Sequence, residues 1–244
     1  MVNGWQRLAD PAIAEWAAAA RPVAVAGLKA EGRRCGGTWA VGLELLGNDE
    51  SGAVGGCAFP WEVLPLTRVP LHRAQVSAVY PGYPQRSDEE TEAAFGFRLR
   101  RDAAHLDGLL PVGTGRRRMA REPHGWILGI ALNECGAGAA PLVVWEGSHE
   151  VLRVALREAF AGHPVEDWGD VDVTEAYQAA RARVFKTCRR VELPSQPGEA
   201  ILVHRLCLHG VAPWMEGARA PEEGRIIAYF RPVLGSVGEW LSAP

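Results

Sequence analysis

The chain has 244 residues, enough for one domain of ordinary to large size. With 48% hydrophobic and 23% charged residues, its composition is that of a globular protein and excludes a disordered chain. The formal net charge of −3 gives no long-range attraction to nucleic acid or anionic membranes, so we expect neither as a partner. No apolar run approaches the ~20 residues needed to span a bilayer, and the N-terminus lacks a signal-peptide stretch.

The cysteine pattern indicates a reducing cellular compartment. All five cysteines are scattered along the chain and none forms a CxxC pair, which disfavours a zinc knuckle and a disulfide scaffold. We interpret them as buried thiols of a reducing environment and therefore expect a cytoplasmic protein.

The first third of the chain predicts one helix followed by strands. Asp10 is typical of a helix N-cap with Pro11 at the first helical position, and we predict a helix through Ala20 that stops at Pro22. The segments TWAVGLELLGND, GAVGGCAF and HRAQVSAVYPG are typical of strands separated by glycine-rich turns. Residues 84–92 are polar and acidic and predict an exposed loop, with a substrate-ordered lid as the alternative.

The rest of the chain predicts strands around a helical insertion. HGWILGIALNEC and PLVVW are typical of buried strands. GSHEVLRVALREAF predicts a helix capped by Ser148, and a second helix fits residues 173–186, so the insertion covers about 148–187. The chain returns to strands in RRVEL, EAILVHRLCLHG and RIIAYFRP.

Many short strands with few helices favour a sandwich or barrel, mainly β with flanking helices. No linker divides the chain, so we predict a single domain over residues 1–244 with a helical N-terminal segment at about 10–21. Neither GxGxxG after a strand nor GxxxxGK[ST] occurs, which disfavours dinucleotide and P-loop sites.

His105-Leu106-Asp107 is the only HxD motif in the chain. On a strand, residues i and i+2 point to the same face, so the imidazole and the carboxylate would converge on one point. Together with a distant histidine they would make the facial triad of non-heme Fe(II) oxygenases. We favour His209, at a strand end before Gly210, over His204 as the third ligand.

An oxygenase of this kind commonly binds a 2-oxo dicarboxylic acid, whose far carboxylate needs a bidentate partner such as arginine. Arg225 opens the strand that follows His209, and we favour it for this role. Arg231, at the far end of the same strand, and Arg219, in a polar loop, remain alternatives.

Four segments in this order, HLD, PLVVWEGSH, HRLCLHGVAP and RIIAYFRP, resemble the phytanoyl-CoA dioxygenase-like family over residues 72–231. The resemblance implies a double-stranded β-helix (jelly-roll, cupin-like) core across this range. It also implies an oxygenase that uses Fe(II), O2 and the cosubstrate 2-oxoglutarate to hydroxylate a small molecule, releasing succinate and CO2. Lys29 and Lys186 are the only lysines among 26 basic residues, a coding bias that, with the resemblance, suggests a bacterial hydroxylase.

By the family pattern, His105, Asp107 and His209 bind the iron and Arg225 binds the carboxylate of 2-oxoglutarate. Gln75 matches a polar position that can face the cosubstrate. Halogenating members lack the carboxylate ligand, so Asp107 favours hydroxylation.

The chain departs from the family where Gly129 replaces a frequent aromatic residue and where Ala139-Ala140 replaces Asn-Gly. The basic run over residues 116–121 is interpreted as a solvated turn, with recognition of an anionic substrate as the alternative.

Two other functions remain open: a cupin-like metalloenzyme that does not use 2-oxoglutarate, and a non-catalytic jelly roll that binds a ligand. The substrate and the oligomeric state are not readable from the sequence.

Overall fold

The computed structural model describes residues 1–242 and consists of antiparallel sheets flanked by helices, as the sequence predicts. The helices are α1 (Pro11–Glu31), α2 (Glu92–Arg100), α3 (Ser148–Phe160), α4 (Thr174–Thr187) and α5 (Val237–Ser242), with 3-10 turns at Trp61–Val63 and Val165–Asp170. The strands are β1 (Trp5–Ala9), β2 (Trp39–Leu43), β3 (Gln75–Val79), β4 (Leu109–Val112), β5 (Arg117–Ala120), β6 (Trp126–Ala131), β7 (Leu142–Trp145), β8 (Arg190–Leu193), β9 (Glu199–His204), β10 (His209–Val211) and β11 (Arg225–Phe230). Within residues 1–242, none of the helices combines the length and the apolar character that a membrane crossing requires.

The strands form two facing sheets and a hairpin. One sheet has six strands in the order β1-β9-β6-β11-β3-β2, the second has the order β10-β7-β8, and β4 pairs with β5. From β6 onward the chain passes repeatedly between the two larger sheets, because β6, β9 and β11 belong to the first and β7, β8 and β10 to the second. The six-stranded sheet also includes β1 and β2, which lie outside the range 72–231 expected for the core.

Side-chain alternation divides the six-stranded sheet into two faces. On β11, Ile226, Ala228 and Phe230 pack with α1 in one core. The opposite face, which includes Tyr229, packs against the three-stranded sheet through residues such as Val144. Side chains at odd positions of β11 therefore point into the space between the sheets. Helices α3 and α4 cover the outer face of the three-stranded sheet.

The first helix is longer than predicted, because it runs through Pro22 to Glu31 instead of stopping before the proline. Proline removes one backbone hydrogen bond, which costs least where water can satisfy the freed carbonyl. Pro22 and Ala18, the residue four positions earlier, are both on the exposed side of α1. Buried contacts continue beyond the proline through Ala24 and Leu28, so tertiary packing outweighs the helix-breaking tendency.

Three strand and cap predictions need correction. The segment GAVGGCAF forms only an isolated bridge between Val54 and Cys57, and β2 ends at Leu43. The segment EAILVHRLCLHG is two strands in different sheets, separated by a turn after His204. Helix α3 is preceded by Gly147 with φ of 77°, and the Ser148 hydroxyl instead accepts a hydrogen bond from the Leu208 amide.

Candidate metal centre

The HxD segment follows a tight turn and is not part of a regular strand. Asp102 and Ala103 both have positive φ, 53° and 54°, a conformation that few residues other than glycine adopt. The turn is held by Arg190, whose guanidinium donates to both carboxylate oxygens of Asp102 at 2.7 and 2.8 Å. His105 is then joined to β10 by a single backbone bridge with His209. The expectation that HxD lies on a strand was therefore wrong, although the two side chains still converge.

Gly210 lets the HxD segment approach β10 closely. A Cβ atom at this position would lie 2.1 Å from the Asp102 carbonyl oxygen, which is far inside van der Waals contact. Before the glycine, the His105 amide donates to the His209 carbonyl at 2.8 Å and the His209 amide donates to the His105 carbonyl at 3.2 Å; after it, the Val211 amide donates to the Asp102 carbonyl at 2.7 Å. The glycine thus fixes the separation of the two histidines.

Three side chains that sequence reasoning chose as ligands meet at this bridge. His105, Asp107 and His209 each present one ligand atom, and the three atoms lie within 4.8 Å of one another. His105 Nε2 is 3.2 Å and His209 Nε2 is 3.7 Å from Asp107 Oδ1. Ligand atoms about 2.1 Å from one ion, at right angles to each other, are about 3 Å apart. The cluster therefore has the dimensions of a metal centre.

Backbone carbonyls set the tautomer of both histidines. Nδ1 of His105 donates to the Ala103 carbonyl at 3.0 Å, and Nδ1 of His209 donates to the Cys207 carbonyl at 2.9 Å. Because a carbonyl can only accept, the proton of each neutral ring is on Nδ1 and the lone pair is on Nε2. Burial lowers the pKa of His209 to about 4, with the charge of His105 contributing, so this ring is neutral near pH 7.

Asp107 is held as an oriented carboxylate. Burial alone would raise its pKa, but the hydrogen bond from His105 and the charges of His209, His105 and Arg231 hold that pKa well below the usual range. Arg231 Nη1 donates to Asp107 Oδ2 at 2.7 Å, and its Nη2 donates to Gln75 Oε1 at 2.5 Å. The oxygen Oδ1 remains directed at the two histidines.

The three candidate arginines have different surroundings. Arg231 supports Asp107 and Gln75, whereas Arg219 is exposed in its loop. Arg225 is 7% exposed, and its Nε is buried without a hydrogen-bond partner. Within residues 1–242 the Arg225 guanidinium makes neither a hydrogen bond nor an ion pair with another side chain. Arg225 is the first residue of β11 and Arg231 directly follows its last. At a rise of about 3.3 Å per residue, their Cα atoms are about 20 Å apart along the strand direction.

His204 does not join the cluster. It ends β9, with its ring centroid 4.8 Å from that of His149, and Arg153 lies 2.9 Å from its Nε2. Its Nδ1 accepts a hydrogen bond from the Leu206 amide at 3.0 Å, which stabilises the turn between β9 and β10.

A cavity of about 450 Å³ adjoins the cluster, a volume typical of small-molecule sites. His105, Asp107 and Arg231 line one wall, and about half of the His105 side chain is exposed. The other walls come from α2, α4 and the β4–β5 hairpin.

Sequence reasoning missed three features of the site. Arg231 was considered only as an anchor for a ligand. It lies six residues after Arg225, and an even separation along an extended strand puts two side chains on the same face. Tyr177 falls in the helix predicted over residues 173–186, but that pattern did not identify it as a cavity residue. Tyr229 occupies the space left by Gly129, because a Cβ there would lie 2.7 Å from the Tyr229 ring.

A scan against protein-family models finds no match for the chain, and a search of curated proteins finds none either. Among solved structures, the chain is similar to SnoK, a non-heme alpha-ketoglutarate-dependent carbocyclase from nogalamycin biosynthesis. The identity is 16% over 98% of this chain and 85% of SnoK, with a TM-score of 0.43.

The chain is also similar to AviO1 from Streptomyces viridochromogenes Tue57, at 14% identity over 96% of this chain and 93% of that chain, with a TM-score of 0.35. A third structure is SnoN, a non-heme alpha-ketoglutarate-dependent epimerase from nogalamycin biosynthesis. Its identity is 15% over 66% of this chain, with a TM-score of 0.34, and this chain covers 45% of SnoN. These values are too low to carry chemistry from those proteins to this chain.

Proposed function

We propose that the protein is an Fe(II)- and 2-oxoglutarate-dependent dioxygenase that hydroxylates a small molecule and releases succinate and CO2. The observation that carries the proposal is the convergence of His105 Nε2, His209 Nε2 and Asp107 Oδ1 on one point. Two imidazoles and one carboxylate on a single side are the donor set of the facial triad, which leaves further positions open to other ligands.

The fold that we propose for this site is a double-stranded β-helix within a single domain. It is supported by the repeated passage of the chain between two facing antiparallel sheets, from β6 to β11. In such a fold His209, at the start of β10, would lie at the mouth of the barrel. This is consistent with the adjoining cavity, which is lined by His105 and Asp107.

The residues present fit the metal. Both Nδ1 atoms donate to backbone carbonyls, so each ring, once neutral, presents its Nε2 lone pair to the metal. At His105, Nε2 would give up to metal binding the proton that the ring shares with Asp107 in the metal-free site. Asp107 is ionised, and Arg231 restrains its second oxygen. When bound, the iron would supply the activation of O2 that couples decarboxylation of 2-oxoglutarate to substrate oxidation. The chain's own task would be to hold the ligands, orient the substrate and exclude water.

We assign the far carboxylate of 2-oxoglutarate to Arg225. Its guanidinium is buried between the sheets with no partner within residues 1–242, and a buried cation of this kind is costly unless an anion pairs with it. Both terminal nitrogens of Arg231 are already engaged by Asp107 and Gln75. We therefore expect Gln75 to act on the site through Arg231.

The test is aerobic turnover. Wild-type protein with Fe(II) and 2-oxoglutarate is expected to form succinate, and Asp107→Ala to form none above background. Asp170→Ala is a matched control, because that carboxylate is exposed and pairs only with Arg121 in the described chain. Succinate formation that survives Asp107→Ala, with the variant folded by circular dichroism, would refute the proposal. Metal binding without 2-oxoglutarate consumption would favour a cupin-like metalloenzyme instead.

A further inference from the structure

The cavity beside the metal cluster is lined by more basic than acidic groups. Four arginines line it, whereas Asp107 and Glu122 are the only acidic residues that line it in the described part of the chain. Two of the arginines are already paired, Arg231 with Asp107 and Arg98 with Glu90. The remaining two are Arg118 on β5 and Arg181 on α4.

Arg118 and Arg181 have no acidic partner within residues 1–242. Arg118 Nη1 donates to the Leu109 carbonyl at 3.2 Å, which leaves most of its donors unused. The Arg181 guanidinium lies over two aromatic rings, 4.7 Å from the centroid of Phe97 and 5.2 Å from that of Tyr177. Such ring contacts orient the cation while its edge stays available to an oxygen ligand.

The neighbouring arginines of the same hairpin differ in this respect. Arg117 pairs with Asp172 at 2.5 Å, and Arg121 pairs with Asp170. These pairs lie outside the cavity, whereas Arg118 lines it. The basic run is therefore not one solvated turn, because Arg117 and Arg121 form ion pairs outside the cavity and Arg118 lines it.

The two unpaired cations converge beside the metal ligands. Arg118, Arg181 and Tyr177 line the same cavity as His105 and Asp107, and the Arg181 guanidinium lies 5.2 Å from the centroid of the Tyr177 ring. Burial raises the pKa of Tyr177, while the positive charges of Arg181 and Arg118 both act to lower it. Leu106, the residue between His105 and Asp107, lines this cavity together with Tyr177. A ligand group held by both arginines would thus be within a short span of the cluster.

We propose that the substrate carries an anionic group, a carboxylate or a phosphate, that Arg118 and Arg181 bind together. Its apolar part would contact Phe97, Leu110 and Pro111, which line the same cavity. Glu122 would disfavour a second anionic group near His124, its neighbour at 3.5 Å. This inference rests on the proposed function, because it assumes that the cavity beside the cluster receives the substrate.

The test measures binding to metal-free protein by calorimetry, with benzoate, phenyl phosphate and the neutral benzamide as probes. We expect an anionic probe to bind at least about tenfold more tightly than benzamide, since hydrogen bonds to charged groups contribute about 1.5–3 kcal/mol. Tighter binding of benzoate would indicate a carboxylate, and tighter binding of phenyl phosphate would indicate a phosphate.

Variants locate the probe. Arg118→Gln and Arg181→Gln should each weaken the anionic probe by about tenfold or more and leave benzamide unaffected. Arg117→Gln is the matched control and should bind like wild type, whereas weaker probe binding in Arg225→Met would place the probe at the 2-oxoglutarate anchor and overturn the proposal. Benzamide binding as tightly as the anions would overturn the proposal. So would anion binding that is absent from wild type or indifferent to both variants.

Failure of the inference and failure of the proposed function give different results. Binding of the anionic probe needs no metal, whereas succinate formation by wild-type protein needs Fe(II) and 2-oxoglutarate. Probe binding without succinate formation would refute the oxygenase and keep an anion site. Succinate formation without probe binding would keep the oxygenase and refute the anion site.

Discussion

Replacing Arg225 with methionine should stabilise the ligand-free protein and abolish its high affinity for 2-oxoglutarate. Methionine has a similar length and can fill the same buried space without a charge. In the native protein the guanidinium is 7% exposed and its Nε has no acceptor. An unsatisfied buried donor costs about 1–3 kcal/mol, more when it is charged. We therefore expect Arg225→Met to raise the free energy of unfolding by about 1–3 kcal/mol.

At about 2–4 °C per kcal/mol for a chain of this size, the midpoint of thermal unfolding should rise by several degrees. The affinity for 2-oxoglutarate should change in the opposite direction. Loss of a buried charge pair costs about 2–5 kcal/mol, which weakens binding by about 30-fold or more. The assays are thermal unfolding of the ligand-free protein and anaerobic titration of the Fe(II)-loaded protein with 2-oxoglutarate.

Arg219→Met is the matched control, because Arg219 is exposed, and it should change neither quantity. An Arg225→Met protein with wild-type affinity for 2-oxoglutarate would refute the assignment of the anchor. A variant that became less stable than wild type would refute the reasoning from the orphaned guanidinium.

Three other predictions follow from the same geometry. His209→Ala should abolish Fe(II) binding in an equilibrium titration, whereas His204→Gln should retain it, because His204 lies outside the cluster. Gly210→Ala should lower the free energy of unfolding by about 1–3 kcal/mol or more in urea, because its Cβ would meet the Asp102 carbonyl at 2.1 Å; unchanged stability would contradict this. Acidification should destabilise the protein, because burial, assisted by Arg205, lowers the pKa of His204 from 6.5 to about 3 in the folded state. The unfolded chain then binds the extra proton, so the contribution of His204 to stability is full well above pH 6.5 and falls by about 2 kcal/mol by pH 5, and His204→Gln should reduce the acid destabilisation by this amount.

Much of the secondary structure was predictable because its signals are local. The buried stripe of α4 follows four-residue spacing, and the strand RIIAYFRP forms β11 as expected. The end of α1 was not predictable from Pro22 alone, since its outcome depends on which side of the helix faces solvent. The separation of β9 from β10 likewise depends on a turn whose stabilising bond, from Leu206 to His204, is made by a side chain.

The three residues of the candidate cluster could be chosen from the sequence because HxD is a compact motif and His209 precedes a glycine in an apolar, strand-like run. How the motif is positioned was not readable. The convergence of the His105 and Asp107 side chains depends on a turn in the left-handed conformation at Asp102 and Ala103. Arg190, 88 residues from Asp102 along the chain, holds this turn. The roles of Arg231 and Tyr177 also arise from tertiary contacts that no local pattern encodes.

The most direct test of the central claim is an anaerobic titration. Fe(II) is added to metal-free protein, followed by 2-oxoglutarate, and the visible spectrum is recorded for the metal-to-ligand charge-transfer band. The proposed centre predicts a band that needs both additions, that saturates with 2-oxoglutarate and that is lost in Asp107→Ala while Asp170→Ala retains it. Iron binding without the band, or a band that persists in Asp107→Ala, would contradict the assignment of this cluster.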